Sequence, residues 1–104
     1  MVSALAERQH ELAALCARFG VQRLEVFGSA ASDEDFDPQR SDVDFIVEFR
    51  ADQHLGPWLE NYFALREALS KLLGYPIDLV MSSAMKNPYF IREANRTRKL
   101  LYGA

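Results

Sequence analysis

One stretch constrains the fold more than any other: Asp42-Val43-Asp44-Phe45-Ile46-Val47-Glu48-Phe49, an apolar strand that carries two carboxylates two residues apart. Strand side chains alternate between faces, so Val43, Phe45, Val47 and Phe49 demand a covering layer while Asp42 and Asp44 point the other way. Ile46 shares the face of the two acids, so that face is not simply solvated either. A strand with apolar residues on both faces belongs inside a layered α/β arrangement rather than on an open surface. Two like charges side by side at the end of such a strand repel each other and lose hydration. A hard divalent cation such as Mg2+ relieves both costs, because it takes carboxylate oxygens and fills its remaining positions from water and phosphate.

Upstream, with twelve residues between Ser29 and Asp42, Leu24, Val26 and Phe27 lead into Gly28-Ser29. The glycine permits a sharp turn and a close approach of backbone to ligand. A helix opening there would aim the N–H groups around Ser29 and Ala30 at an anion, with the Ser29 hydroxyl as a further donor. Asp78 stands between Ile77 and Leu79 in a third apolar run, where a buried carboxylate requires a partner.

Punctuation by Gly and Pro divides the rest. Ser3 to Phe19 places Leu5, Leu12, Leu15, Cys16 and Phe19 on one helical stripe, with Ser3 as N-cap and Gly20 as terminator. Val21 to Phe27 is a strand, Ser32 to Ser41 an acidic loop, and Asp42 to Phe49 the second strand. Trp58, Tyr62, Leu65, Leu69 and Leu72 recur at helical steps between Pro57 and Gly74. Pro76 to Met81 is a third strand. Asn87-Pro88 opens a helix running to about Arg98, and Leu100-Leu101-Tyr102 is a final edge strand. The expected fold is α/β: a small mixed sheet of three to four strands with helices packed against it, in a single domain spanning 1–104.

Charge narrows the partners. The net charge of −3 argues against a general nucleic-acid binder. Nine acids against two bases lie between Glu25 and Asp52, whereas five bases against one acid lie beyond Met85. No apolar run is long enough to cross a bilayer, the N-terminal residues lack the pattern of a secretory signal, and the single cysteine, Cys16, suits a reducing cytoplasm. Cys16 is expected in the core; His10 and His54, without companions at ligand spacing, at the surface; and Trp58, Tyr62 and Phe63 in the core rather than as a base-stacking platform.

Taken together, Gly28-Ser29, Asp42-x-Asp44 and Asp78 resemble the nucleotidyltransferase superfamily that includes DNA polymerase beta. Phe27-Gly28-Ser29, Arg40-Ser41-Asp42-Val43-Asp44-Phe45-Ile46-Val47 and Tyr75-Pro76-Ile77-Asp78-Leu79-Val80 look most like the minimal nucleotidyltransferases (MNT), antitoxins that accompany HEPN-domain toxins. That resemblance covers roughly Val21 to Tyr102. It implies a polymerase-beta-like fold, Asp42, Asp44 and Asp78 as catalytic and Mg2+-binding residues, and Gly28 and Ser29 as nucleotide-binding residues. It further implies ATP as substrate and transfer of AMP to a hydroxyl, a tyrosine of a HEPN toxin, in the cytoplasm. Two departures stand out. Ala30-Ala31-Ser32-Asp33 occupies the place where many members have an arginine just after Gly-Ser, and the loop to Asp42 is longer and more acidic. Arg40 or a C-terminal base is then the candidate substitute, and a catalytically silent module that neutralises its partner by contact is the competing expectation.

Overall fold

The structure is a computed structural model that describes residues 1–103. Its elements run α1 (Ser3–Glu7), α2 (Gln9–Arg18), β1 (Val21–Phe27), α3 (Ser29–Ser32), β2 (Val43–Phe49), α4 (Glu60–Leu73), β3 (Ile77–Met81), α5 (Pro88–Asn95) and β4 (Lys99–Tyr102), with 3-10 turns at Pro57–Leu59 and Ser82–Ala84. The strands form one mixed sheet in the order β3-β2-β1-β4. β1 pairs antiparallel with β2 and with β4, while β2 and β3 run parallel. A parallel pair needs a crossover, and α4 supplies it.

The alternation along β2 divides the packing. Val43, Phe45 and Val47 enter a core built with Leu5, Leu12 and Cys16 of α1 and α2 and Leu65, Leu69 and Leu73 of α4. On the opposite face Ile46 packs with Phe27 and Ala94 in a second, smaller cluster that includes Phe90 of α5. Burying a Leu or Phe side chain contributes about 1.5–3 kcal/mol, so the first cluster holds the sheet together while the second fastens α5 over the carboxylate face. Asn87 caps α5, its Oδ1 accepting from the N–H groups of Tyr89 and Phe90 at 2.9 and 3.4 Å.

Several expectations need correction. The helix expected over Ser3 to Phe19 breaks at Arg8, where φ is −112° and ψ 21°, and Val2 rather than Ser3 holds the cap position, without a side-chain cap bond. The break lets α1 carry Leu5 into the core while Val2 N–H reaches the Ala30 carbonyl at 2.9 Å. Trp58 is 93% exposed, not core, and Phe63 is half-exposed. The helix proper begins only at Glu60, because Trp58 and Leu59 both take left-handed backbone angles (φ 56° and 55°), which puts Trp58 out of phase with the Leu65–Leu69–Leu73 stripe. α5 ends at Asn95, three residues early, because the chain must turn to bring Lys99–Tyr102 alongside β1. Cys16 is buried, and both histidines are exposed.

Candidate active site

Two backbone registers assemble the site. β1 and β2 pair so that Phe27 stands opposite Asp44, and the parallel β2–β3 pair sets Asp44 level with Asp78. Neighbouring strands lie about 4.8 Å apart, and residues level across them project to the same face. Asp44 and Asp78 therefore lie side by side on the face that carries Ile46. Asp42 sits one residue before β2 rather than inside it.

Gly28 ends β1 with φ 75° and ψ −153°. A Cβ at this position would stand 2.7 Å from Asp44 Oδ2, so the carboxylate packs directly against the turn and only glycine leaves it room. The Gly28 N–H donates to Thr97 Oγ1 at 2.7 Å, which locks the turn to the end of α5. Ala31 and Ser32 return their N–H groups to the Gly28 carbonyl at 3.1 and 3.2 Å. The N–H groups of Ser29 and Ala30 precede that first return bond, so α3 itself offers them no acceptor. Gly28, Ser29, Phe90, Arg96 and Thr97 line a cleft of about 350 Å³ together with the acids Glu34, Asp35 and Glu93. Arg96 Nη1 sits 3.0 Å from Glu93 Oε2.

Electrostatics bind the three acids into one unit. Burial pushes the Asp44 carboxyl up from 3.8 to about 6, and the nearby charges of Asp78 and Asp42 push it the same way. Asp44 is half-buried; Asp42 and Asp78 are exposed. The expectation of a buried Asp78 is thus corrected: β3 is an edge strand, so Asp78 meets solvent on its free side. Among the described residues no three His, Cys, Asp or Glu side chains stand close enough to form a preassembled metal cage. The donor set is all carboxylate oxygen and open to solvent, which suits a hard cation that keeps water or phosphate among its ligands.

Sequence reasoning missed two residues here. Thr97 fixes Gly28 from 69 positions away. Glu25, one of the nine acids counted above, is 5% exposed and holds Arg98 through two bonds, Arg98 Nε to Oε2 at 3.0 Å and Nη2 to Oε1 at 2.6 Å. The only sequence signal for either was the basic, polar run Arg96-Thr97-Arg98 just before the last strand.

Comparison with known proteins agrees with this geometry. The family model described as nucleotidyltransferase domain matches residues 12–101. A Methanocaldococcus jannaschii chain provisionally named a protein adenylyltransferase is 39% identical over 72 residues, which is 69% of this chain and 67% of that one. A solved structure provisionally assigned as a minimal nucleotidyltransferase superposes with a TM-score of 0.71 at 31% identity, covering 93% of this chain and 92% of that one. The same fold recurs, with a TM-score of 0.65 and 18% identity, in a complex of an MNT antitoxin with a tri-AMPylated Shewanella oneidensis HEPN toxin, covering 96% of this chain and 73% of that one. Family and fold agree: this chain belongs to the nucleotidyltransferase domain family and is a minimal nucleotidyltransferase of the polymerase-beta-like superfamily.

Proposed function

We propose that the chain transfers AMP from ATP to a hydroxyl of a partner protein, a tyrosine of a HEPN toxin, and so acts as an antitoxin within a single domain. The observation that carries the reading is the convergence of Asp44 with Gly28 on one side and Asp78 on the other. Support for the partner comes from the S. oneidensis complex, whose HEPN toxin is AMPylated, and support for the reaction comes from the name of the M. jannaschii relative.

Asp42, Asp44 and Asp78 would hold Mg2+, and the ion would neutralise phosphate charge and lower the pKa of the attacking hydroxyl. The chain's own contribution is position. The turn at Gly28-Ser29 presents backbone N–H groups to the phosphates, held in place by Thr97. Arg96, released from Glu93, is the base that lines the cleft at that turn and takes the part of the arginine absent at Ala30. Ala30 itself is fully buried beneath Val2, so the departure from the family pattern is built into the packing. In the transfer, the acceptor oxygen bonds to the α-phosphorus, the bond from that phosphorus to the bridging oxygen breaks, and pyrophosphate leaves with the electron pair. The hydroxyl proton passes to solvent.

Incubation with ATP labelled at the α-phosphate, Mg2+ and a HEPN-domain toxin as acceptor tests the reading. Label should move to the toxin with release of pyrophosphate. Tight complex formation with no label transferred, for any of the four nucleotides, would establish instead a module that acts by contact.

A further inference from the structure

The carboxylate face carries a second hollow besides the cleft at Gly28-Ser29. Val80 follows Asp78 by two residues on β3, so it projects to the same face about 7 Å further along the strand, level with Ile46. There the start of α5 packs over the outer strand, and Met85 and Phe90 join Val80 in the smaller cluster with Ile46 and Phe27. Val80, Ala84, Met85, Lys86, Asn87 and Phe90 line a hollow of about 210 Å³. Pockets that enclose a whole drug-sized ligand hold ~300–1,000 Å³, so this one suits a single ring system rather than an entire nucleotide. Phe90 also lines the cleft at Gly28-Ser29, and it is the residue common to both spaces.

We infer that this hollow is the base slot of the nucleotide and that it takes a purine, adenine and guanine alike. The inference rests on the nucleotidyltransferase reading above and adds the base preference of its donor substrate. With phosphates at Gly28-Ser29 and the α-phosphorus beside Asp44, a nucleoside extending along α5 meets Phe90 and then the hollow. Phe27 meets the Phe90 ring edge-to-face at 5.7 Å between centroids, which leaves at least one face of that ring for a flat heterocycle. Val80 and Met85 supply apolar walls, and a Met thioether adapts to an aromatic edge. The polar groups are donors. Asn87 Oδ1 accepts from the N–H groups of Tyr89 and Phe90, so Nδ2 is the end left for a ligand. Lys86 is exposed and, among the described residues, takes part in no ion pair. Ring nitrogens and carbonyl oxygens of a base accept from such groups, whereas no side-chain oxygen is left to accept from the 6-amino group of adenine. The slot therefore does not tell adenine from guanine, and it favours purines over pyrimidines through the larger surface stacked on Phe90.

The test uses the full chain with Mg2+ and reads binding by calorimetry and methyl NMR. The probes are α,β-methylene analogues of ATP, GTP, CTP and UTP, together with tripolyphosphate, which carries no base. The ATP and GTP analogues should bind within about threefold of each other and at least fivefold more tightly than the CTP and UTP analogues. Only the probes that carry a base should shift the methyl resonances of Val80 and Met85. Phe90→Leu keeps an apolar side chain in the cluster but removes the ring. It should weaken the ATP analogue about tenfold and leave tripolyphosphate within about twofold of wild type, and Phe90→Tyr should restore most of the loss. Val80 and Met85 methyls that stay unmoved, equal affinity for all four analogues, or a folded Phe90→Leu variant that loses tripolyphosphate equally would overturn the base slot alone. A GTP analogue at least tenfold weaker than the ATP analogue would overturn the claim that purines are taken alike. Absence of nucleotide binding by wild type would overturn both this inference and the reading beneath it.

Discussion

At the scale of single residues, Asp44 is held at a cost. Its carboxyl titrates near 6 instead of 3.8 because it is half-buried and faces Asp78 and Asp42. Between those two values the folded chain keeps a proton that the unfolded chain has lost, so metal-free stability falls as pH rises through that window. Asp44→Asn removes the repulsion. Above pH 6 the variant should be more stable than wild type by about 1 kcal/mol, a screened share of the ~1.4 kcal/mol per pKa unit, and the gain should vanish below pH 4. Urea denaturation at the two pH values checks this; an Asn variant less stable at pH 7.5 would show that Asp44 has a structural role. Gly28→Ala should instead destabilise the chain. It forces a side chain into φ 75° and places its Cβ 2.7 Å from the same carboxylate, so a loss of about 2–3 kcal/mol is expected in thermal denaturation.

At the scale of elements, the carboxylate face depends on α5 and β4 staying closed against β1. Glu25 of β1 holds Arg98, at the entry to β4, and Arg23 Nε adds a third bond at 3.1 Å. Hydrogen bonding to Arg98 keeps the Glu25 carboxyl below its ordinary range despite burial. Arg98→Ala leaves a buried carboxylate with only Arg23, so it should cost about 2 kcal/mol at pH 7, less than the ~3–5 kcal/mol of a fully orphaned charge. Because a depressed acid stabilises only above its unfolded pKa, the cost should shrink as pH falls below about 4.5, which a pH series of melting temperatures would show. This pair also marks where the sequence stops being legible. β2 was readable because alternation and its two acids are local, and α5 because Asn87-Pro88 announces its own cap. Glu25–Arg98 and Gly28–Thr97 span 73 and 69 residues, and they exist only because β4 folds back antiparallel onto β1. Trp58 was misread for a related reason: periodicity cannot register that the Pro57–Leu59 turn puts two residues in left-handed backbone before the helix begins.

At the scale of the whole molecule, topology makes the site. The α4 crossover sets β3 parallel to β2, and that register puts Asp78 level with Asp44, a juxtaposition that 33 residues of intervening chain would not reveal. The three acids, in the order the resemblance required, were legible; their differing exposure and the buried alanines after Ser29 were not, because both depend on which strand lies at the edge and on where α1 comes to rest. The central claim is that these carboxylates bind nucleotide through a cation. Calorimetric titration of the α,β-methylene ATP analogue into wild type and Asp42→Asn, each with Mg2+ and with EDTA, tests it most directly. Wild type should bind one equivalent only with Mg2+, and Asp42→Asn should bind at least tenfold more weakly while its metal-free form melts no lower than wild type. Equal binding with EDTA, equal binding by the variant, or a metal-free variant that unfolds would contradict the claim.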